Sequence, residues 1–228
     1  NGDARVALDT LGFVFENHQD GKTVTAEDIS EAMQRKIGFY DRGDDKYDLL
    51  SALQKSIRGS DPDASIYYFA RLVDGGADVQ MIGRRLLVIA SEDIGMAYPS
   101  AISITHACVS AALMVGFPEA AINLAEAVIM LASSPKSNSS IKAYYKAMSD
   151  IKHKDTDMVP DHLRDSHYKG ARDKGLGKDY KYPHAYPEHF VKQDYINEKI
   201  KFYNPGDNKF ENAANERQEK LWNKKKEK

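Results

Sequence analysis

The chain has 228 residues, 42% of them hydrophobic and 29% charged, with a formal net charge of -2, an ordinary globular composition that can bury one sizeable core, alone or with a small satellite. No apolar run approaches the roughly 18 to 20 residues of a membrane span, and the N-terminus lacks the basic start and apolar stretch of a signal peptide, so a cytoplasmic chain without a membrane partner is expected. The single cysteine, Cys108, sits in AISITHACVSAALMV, where it has no partner for an internal disulfide and reads as a small buried hydrophobe.

In chain order, Asp3 is placed to cap a helix whose apolar stripe is Ala4, Ala7, Leu8, Leu11, Val14 and Phe15. After the loop HQDGK, Thr25 and Asp28 form a capping pair that opens a second short helix, TAEDISEAM. The aperiodic, glycine-containing QRKIGFYDRGDDK is the expected link to the next unit. From Tyr47 to about Ile151 the pattern is helical almost throughout. Tyr47, Leu49, Leu50, Leu53 and Ile57 share a face, and Asp61, Pro62, Gly75 and Gly76 then mark the cap, first position and stop of the next helix. Val79, Ile82, Leu86, Ile89 and Ala90 predict a helix ending near Gly95, and Pro99 and Pro118 each introduce another. Those last two are apolar on nearly every side, which places them at the centre of a bundle or in a subunit interface. A helix from Ser137 or Asn138 to Ile151 closes the group.

Beyond Ile151 the chain is rich in Gly, Pro, His and Tyr and loses its period, so an irregular C-terminal strap is expected, anchored by Tyr180, Tyr182, Tyr186, Phe190 and Tyr195. The end, ENAANERQEKLWNKKKEK, reads as a polar, partly frayed helix. Charge is unevenly divided: residues 1–135 carry 11 Lys and Arg against 19 Asp and Glu, and residues 136–228 carry 21 against 15. The basic half admits an anionic partner or attraction between subunits.

Three stretches imitate catalytic motifs. Gly21, Lys22 and Thr23 suggest a phosphate loop, but Glu16 stands where the first glycine is required, and an amphipathic helix precedes the segment in place of a strand. LLVIASED, residues 86–93, resembles an apolar strand ending in a magnesium-holding acidic pair. Its period is helical, however, and Glu92 and Asp93 at a helix end call for a cationic partner, from Arg85 or from a neighbouring helix. Finally, His153, Asp155, Asp157, Asp161, His162, Asp165 and His167 are metal-ligand types, yet His162 and His167 are five apart in a segment containing Pro160. That spacing does not put two imidazoles on one helix face, so no metal site is assigned. No nucleophile paired with a base is evident either, and the residues read as a helical scaffold without catalytic machinery.

The stretches GDARVALDTL, YDLLSALQKSIRGSDPDASIYYFARLVDGG, RRLLVIASEDIGMAYP, SSPKSN, HLRDSHYKGA and YPHAYPEHFVKQDY run in order from residue 2 to about 205. They resemble the C-terminal half of the replication-associated recombination protein A family, the bacterial MgsA/RarA proteins and their Werner-helicase-interacting relatives, AAA+ ATPases of the clamp-loader group. The resemblance implies an all-α fold: a helical AAA+ lid over residues 1–42, a helical tetramerisation domain over 46–205, and a polar tail over 206–228. It also implies that an ATPase core precedes Asn1, that the full-length protein binds ATP and Mg and is stimulated by DNA, and that this stretch alone does not hydrolyse ATP. Single-strand-binding protein, the replication machinery and a nucleoid-associated location in the cytoplasm follow from the same likeness. Arg5 matches the second sensor arginine, which reaches from the lid to the terminal phosphates of ATP; without the core it is a surface residue able to pair with Asp9. Ala185 departs from the acidic residue of the family pattern, and Glu188 and His189 replace smaller ones. Two alternatives remain beside this reading. The basic half could contact DNA phosphates, with Lys136, Ser137 and Asn138 at a helix start holding an anion, or the His153 to His167 region could serve a metal-dependent enzyme.

Overall fold

The computed structural model describes residues 46–154, 158–168, 170 and 174–223, with residues 11, 23–27 and 29 of the first 45. Arg5, Asp3 and the helix expected from Ala4 to Phe15 lie outside the described residues, apart from Leu11, which is helical. Ala26, Glu27 and Ile29 are helical where the second short helix is expected, with the Ile29 N–H donating to the Thr25 carbonyl at 3.3 Å.

Seven α-helices follow: α1 Lys46–Arg58, α2 Pro62–Asp74, α3 Val79–Ile89, α4 Ala101–Val115, α5 Ala120–Ser133, α6 Ser139–His153 and α7 Lys209–Asn223. There is no strand among the described residues, so the fold is all-α, as expected, and among the same residues no helix is long and apolar enough to cross a membrane. The chain divides into two compact units, residues 1–90 with 100–134 and residues 91–99 with 135–228.

The first unit is built around α5, which packs against α1, α2, α3 and α4. Its Ala120, Leu124, Ala127, Val128, Leu131 and Ala132 are fully buried, and the three alanines let neighbouring backbones come close. That central position accounts for its weak amphipathicity. Local signals define the other helices. Asp61 accepts the Ala64 N–H at 2.9 Å with Pro62 opening α2, and Asp78 accepts the Met81 N–H at 2.6 Å to open α3. The α3–α4 contact requires Gly83, because a Cβ there would lie 2.6 Å from Val109 Cγ1. Cys108 is buried as expected, and burial, reinforced by the charge of Glu126, raises its thiol pKa.

The second unit begins within a departure from the expected pattern. In place of a helix running to Gly95, α3 passes at Ala90 into a π-helical turn, Ala90–Ile94, and then a 3₁₀ turn, Gly95–Ala97. A π turn widens the helix by one residue and re-aims the side chains that follow, which hydrophobic spacing alone does not register. The strap also differs from its expected anchoring. Tyr180, Tyr182, Tyr186 and Tyr195 are exposed, since a phenol gains little by leaving water without a buried hydrogen-bond partner. Leu176 is the buried residue instead, and the adjacent Gly177 N–H donates to the Asp161 carbonyl at 2.8 Å. Phe190 does serve as an anchor, meeting Trp222 of α7 edge to face at 5.3 Å.

Candidate functional site: the SSPKSN loop and a buried carboxylate

Helix α7 opens with a reciprocal cap. Asn208 Oδ1 accepts the Glu211 N–H at 3.0 Å, as in the first half of a capping box, and the Asn208 side-chain amide, rather than its backbone N–H, donates back to the Glu211 carboxylate. Glu211 is completely buried. Burial alone would raise its pKa, because the charged form loses water. Against that, its carboxylate receives the Ser137 hydroxyl at 2.6 Å and the Tyr203 hydroxyl at 2.8 Å, together with donors from Ser139 and the Gly206 backbone. The donors prevail and lower the pKa to about 2. The charge also lies at the positive ends of two helices, the first turn of α7 and the start of α6. Gly206 is part of the cradle: a Cβ there would lie 2.8 Å from Glu211 Oε2 and 3.1 Å from Ser137 Oγ.

The SSPKSN loop, residues 133–138, owes its shape to this carboxylate and to the π turn. The Ser137 N–H donates to the Asp93 carbonyl at 2.9 Å. Gly95 holds a left-handed φ of 46°, and a Cβ there would meet the Ser137 carbonyl oxygen at 2.8 Å, so only glycine fits without displacing the loop. Lys136 is half-buried. Burial lowers its pKa, and the nearby negative charge of Asp93 opposes that shift. Lys136 is thus one cation whose charge is felt by Asp93, while Arg85 donates to Gln54 of α1 at 2.9 Å.

Lys136, Ser137 and Asn138, expected as an anion contact, are therefore differently disposed. Asn138 is exposed and Lys136 half-buried, whereas Ser137 is buried with its hydroxyl on Glu211. The anion at the start of α6 is the chain's own Glu211. Residues of the His153 to His167 region are dispersed onto separate partners. His153 Nδ1 meets the Ser149 carbonyl at 2.8 Å, His162 Nε2 the Asp194 carbonyl at 2.8 Å, and His167 Nδ1 the Asp165 carboxylate at 2.7 Å. Asp155 and Asp157 lie outside the described residues, and among those described no group of three or more metal-ligating side chains converges. The Glu211, Tyr203 and Gly206 constellation escapes a reading by hydrophobic period. Its one legible trace is N-x-x-E, Asn208 to Glu211, a capping signature three residues ahead of the helix start expected at Glu211.

Chemically, a carboxylate held near pKa 2 with its oxygens saturated by donors is a fixed acceptor and has no capacity to exchange protons near neutral pH. The site is architectural: it joins the starts of two helices to a loop carrying Lys136 and Asn138. Its sequence surroundings point to what the architecture belongs to. The family profile described as MgsA AAA+ ATPase C terminal matches residues 59–222, and one described as AAA C-terminal domain matches residues 1–58. The chain belongs to the MgsA family of AAA+ ATPases. Replication-associated recombination protein A of Bacillus subtilis is 46% identical over 98% of this chain and 55% of its own length. The protein of the same name from Escherichia coli is 40% identical over 81% of this chain and 42% of its own, and an ATPase WRNIP1 of Dictyostelium discoideum is 34% identical over 88% and 25%. The chain thus spans about half the length, or less, of the curated relatives it matches. In this MgsA-family chain the SSPKSN loop and Glu211 both fall within the segment matched by the C-terminal profile.

Proposed function

We propose that this chain is the lid and homotetramerisation part of a clamp-loader-type AAA+ ATPase acting in replication fork maintenance, recombination and DNA repair. Family membership supports the ATPase assignment, and one structural observation supports assembly. Around the α4–α5 turn Met114 is 87% exposed, Ile122 72% and Val115 56%, with Leu113 and Phe117 beside them. Apolar side chains clustered at one end of a bundle favour burial against another surface, and a second copy offers a self-complementary one. In this reading residues 1–42 are the lid, 46–205 the assembly domain and 206–228 the tail. Arg5 serves as the second sensor only together with the ATPase core, which binds ATP and Mg. The chain alone does not turn over ATP, and its setting is the cytoplasm, at the nucleoid, beside single-strand-binding protein and the replication machinery. Light scattering tests the assembly: a tetramer of the 25.5 kDa chain is expected, and a monodisperse monomer at high concentration overturns it.

A second reading, contact with DNA phosphates through the basic half, is favoured by the exposed Asn138 and the half-buried Lys136 at one loop. Ser137 then shapes the loop from inside. Anisotropy titration with duplex and single-stranded DNA at two salt concentrations is expected to show salt-sensitive binding weakened in Lys136→Ala. Binding that does not change with salt removes this reading.

A further inference from the structure

We infer that His184 and His189 form a two-imidazole chelate for a divalent first-row transition metal, of which zinc and nickel are the probes to test. The segment YPHAYPEH, residues 182–189 of the strap, contains two consecutive 3₁₀ turns, Pro183–Ala185 and Pro187–His189, each opened by a proline. Backbone hydrogen bonds close both: Tyr186 N–H to the Pro183 carbonyl at 3.0 Å and Phe190 N–H to the Pro187 carbonyl at 3.2 Å. The second turn bends back on the first because Glu188 and His189 take left-handed φ values of 56° and 53°. For residues with a Cβ that conformation is unfavourable, and such backbone is retained where surrounding structure imposes it. Its result is that the two Nδ1 atoms lie 3.3 Å apart, with ring centroids 5.1 Å apart and planes inclined at 57°.

That separation matches the needs of a metal. Imidazole nitrogens bind zinc at about 2.0–2.1 Å, so two of them on a tetrahedral ion lie about 3.3–3.4 Å from each other. At this distance one neutral ring can also donate an N–H···N hydrogen bond to the other, and a bound ion would take the place of that shared proton. Both rings are exposed, so an ion can reach them with water in its remaining positions. They are also held on either side: Tyr182 packs on His184 at 5.2 Å, and Phe190, next to His189, packs on Trp222 at 5.3 Å. Ligands already brought together lose less freedom on chelation than separate ones, which favours binding by the pair over capture by one exposed histidine. The pair is separate from His153, His162 and His167, whose Nδ1 or Nε2 atoms already meet backbone carbonyls or Asp165.

Isothermal titration of the 228-residue chain with zinc sulfate and with nickel chloride tests the inference. One ion per chain is expected, with affinity reduced by about tenfold or more in both His184→Asn and His189→Asn and unchanged in His153→Asn. Because both histidines are exposed, the variants should retain the wild-type circular dichroism spectrum, and X-ray absorption of the nickel-loaded chain should show two imidazole nitrogens. Absence of binding at one equivalent, or binding that survives the His184→Asn or the His189→Asn substitution undiminished, overturns the assignment.

Discussion

Glu211 stands where a buried charge would ordinarily be most costly, and its stabilisation depends on donors drawn from distant parts of the chain. Ser137 is 74 residues away in sequence and Tyr203 eight. Their effect is a depressed folded-state pKa, from the usual 4.5 to about 2, so the associated stability is complete above the unfolded-state value and is lost as pH falls from about 4.5 toward 2. The shift corresponds to roughly 3 kcal/mol. In Glu211→Gln the amide cannot ionise and turns a donor toward the existing donors. Urea unfolding should therefore show the variant less stable at pH 6, with the gap to wild type narrowing by about 3 kcal/mol toward pH 2. A gap that stays constant with pH would show that the carboxylate charge is not what the donors stabilise. At the same scale, Thr105 Oγ1 is buried with no hydrogen-bond partner among the described residues. Thr105→Val replaces that hydroxyl by a methyl of similar shape, and thermal unfolding should show a gain of about 1 kcal/mol.

At the scale of elements, the two helices with the least polar character have different surroundings along their length. Helix α5 directs one face into contacts with four neighbours, while Ile122 and Ile129 remain exposed on the other. Composition announced both helices as unusual, yet it left open whether they were central or at an interface, and each has residues of both kinds. Helix α7 depends on its first turn more than its polar sequence suggests. Asn208 both caps the helix and donates to Glu211. Asn208→Ala should cost about 1–2 kcal/mol, near the upper end for a lost cap, measured by denaturant unfolding. A loss below about 0.5 kcal/mol would mean that water replaces the cap without penalty.

For the whole molecule, the division of charge nearly coincides with the division into units. The second unit takes Glu92 and Asp93 with it, so 21 Lys and Arg stand against 17 Asp and Glu there, and 11 stand against 17 in the first. The acidic pair thus enters the basic unit, where Asp93 faces Lys136. The exposed Met114 and Ile122 of the first unit carry the assembly proposal. If the proposed tetramer forms through them, a Met114→Glu, Ile122→Glu double variant should lower the mass to that of a smaller species while leaving the helical circular dichroism unchanged, because neither side chain contributes to the core. Retention of the wild-type mass in light scattering would place the interface elsewhere.

Helix positions were legible in the sequence because their causes are local: Asp61 with Pro62, the 3.6-residue spacing of Leu50, Leu53 and Ile57, and the glycines at 75 and 76 act within a turn or two of the chain. The all-α class and the family likeness followed from the same short-range order. The π turn at Ala90–Ile94, the burial of Leu176, the cradle around Glu211 and the meeting of His184 with His189 were decided only in three dimensions. Each depends on a backbone conformation or on a partner supplied by another segment. A hydrogen bond from Ser137 to Glu211 leaves no periodic mark in either stretch, since what matters is where the chain returns in space.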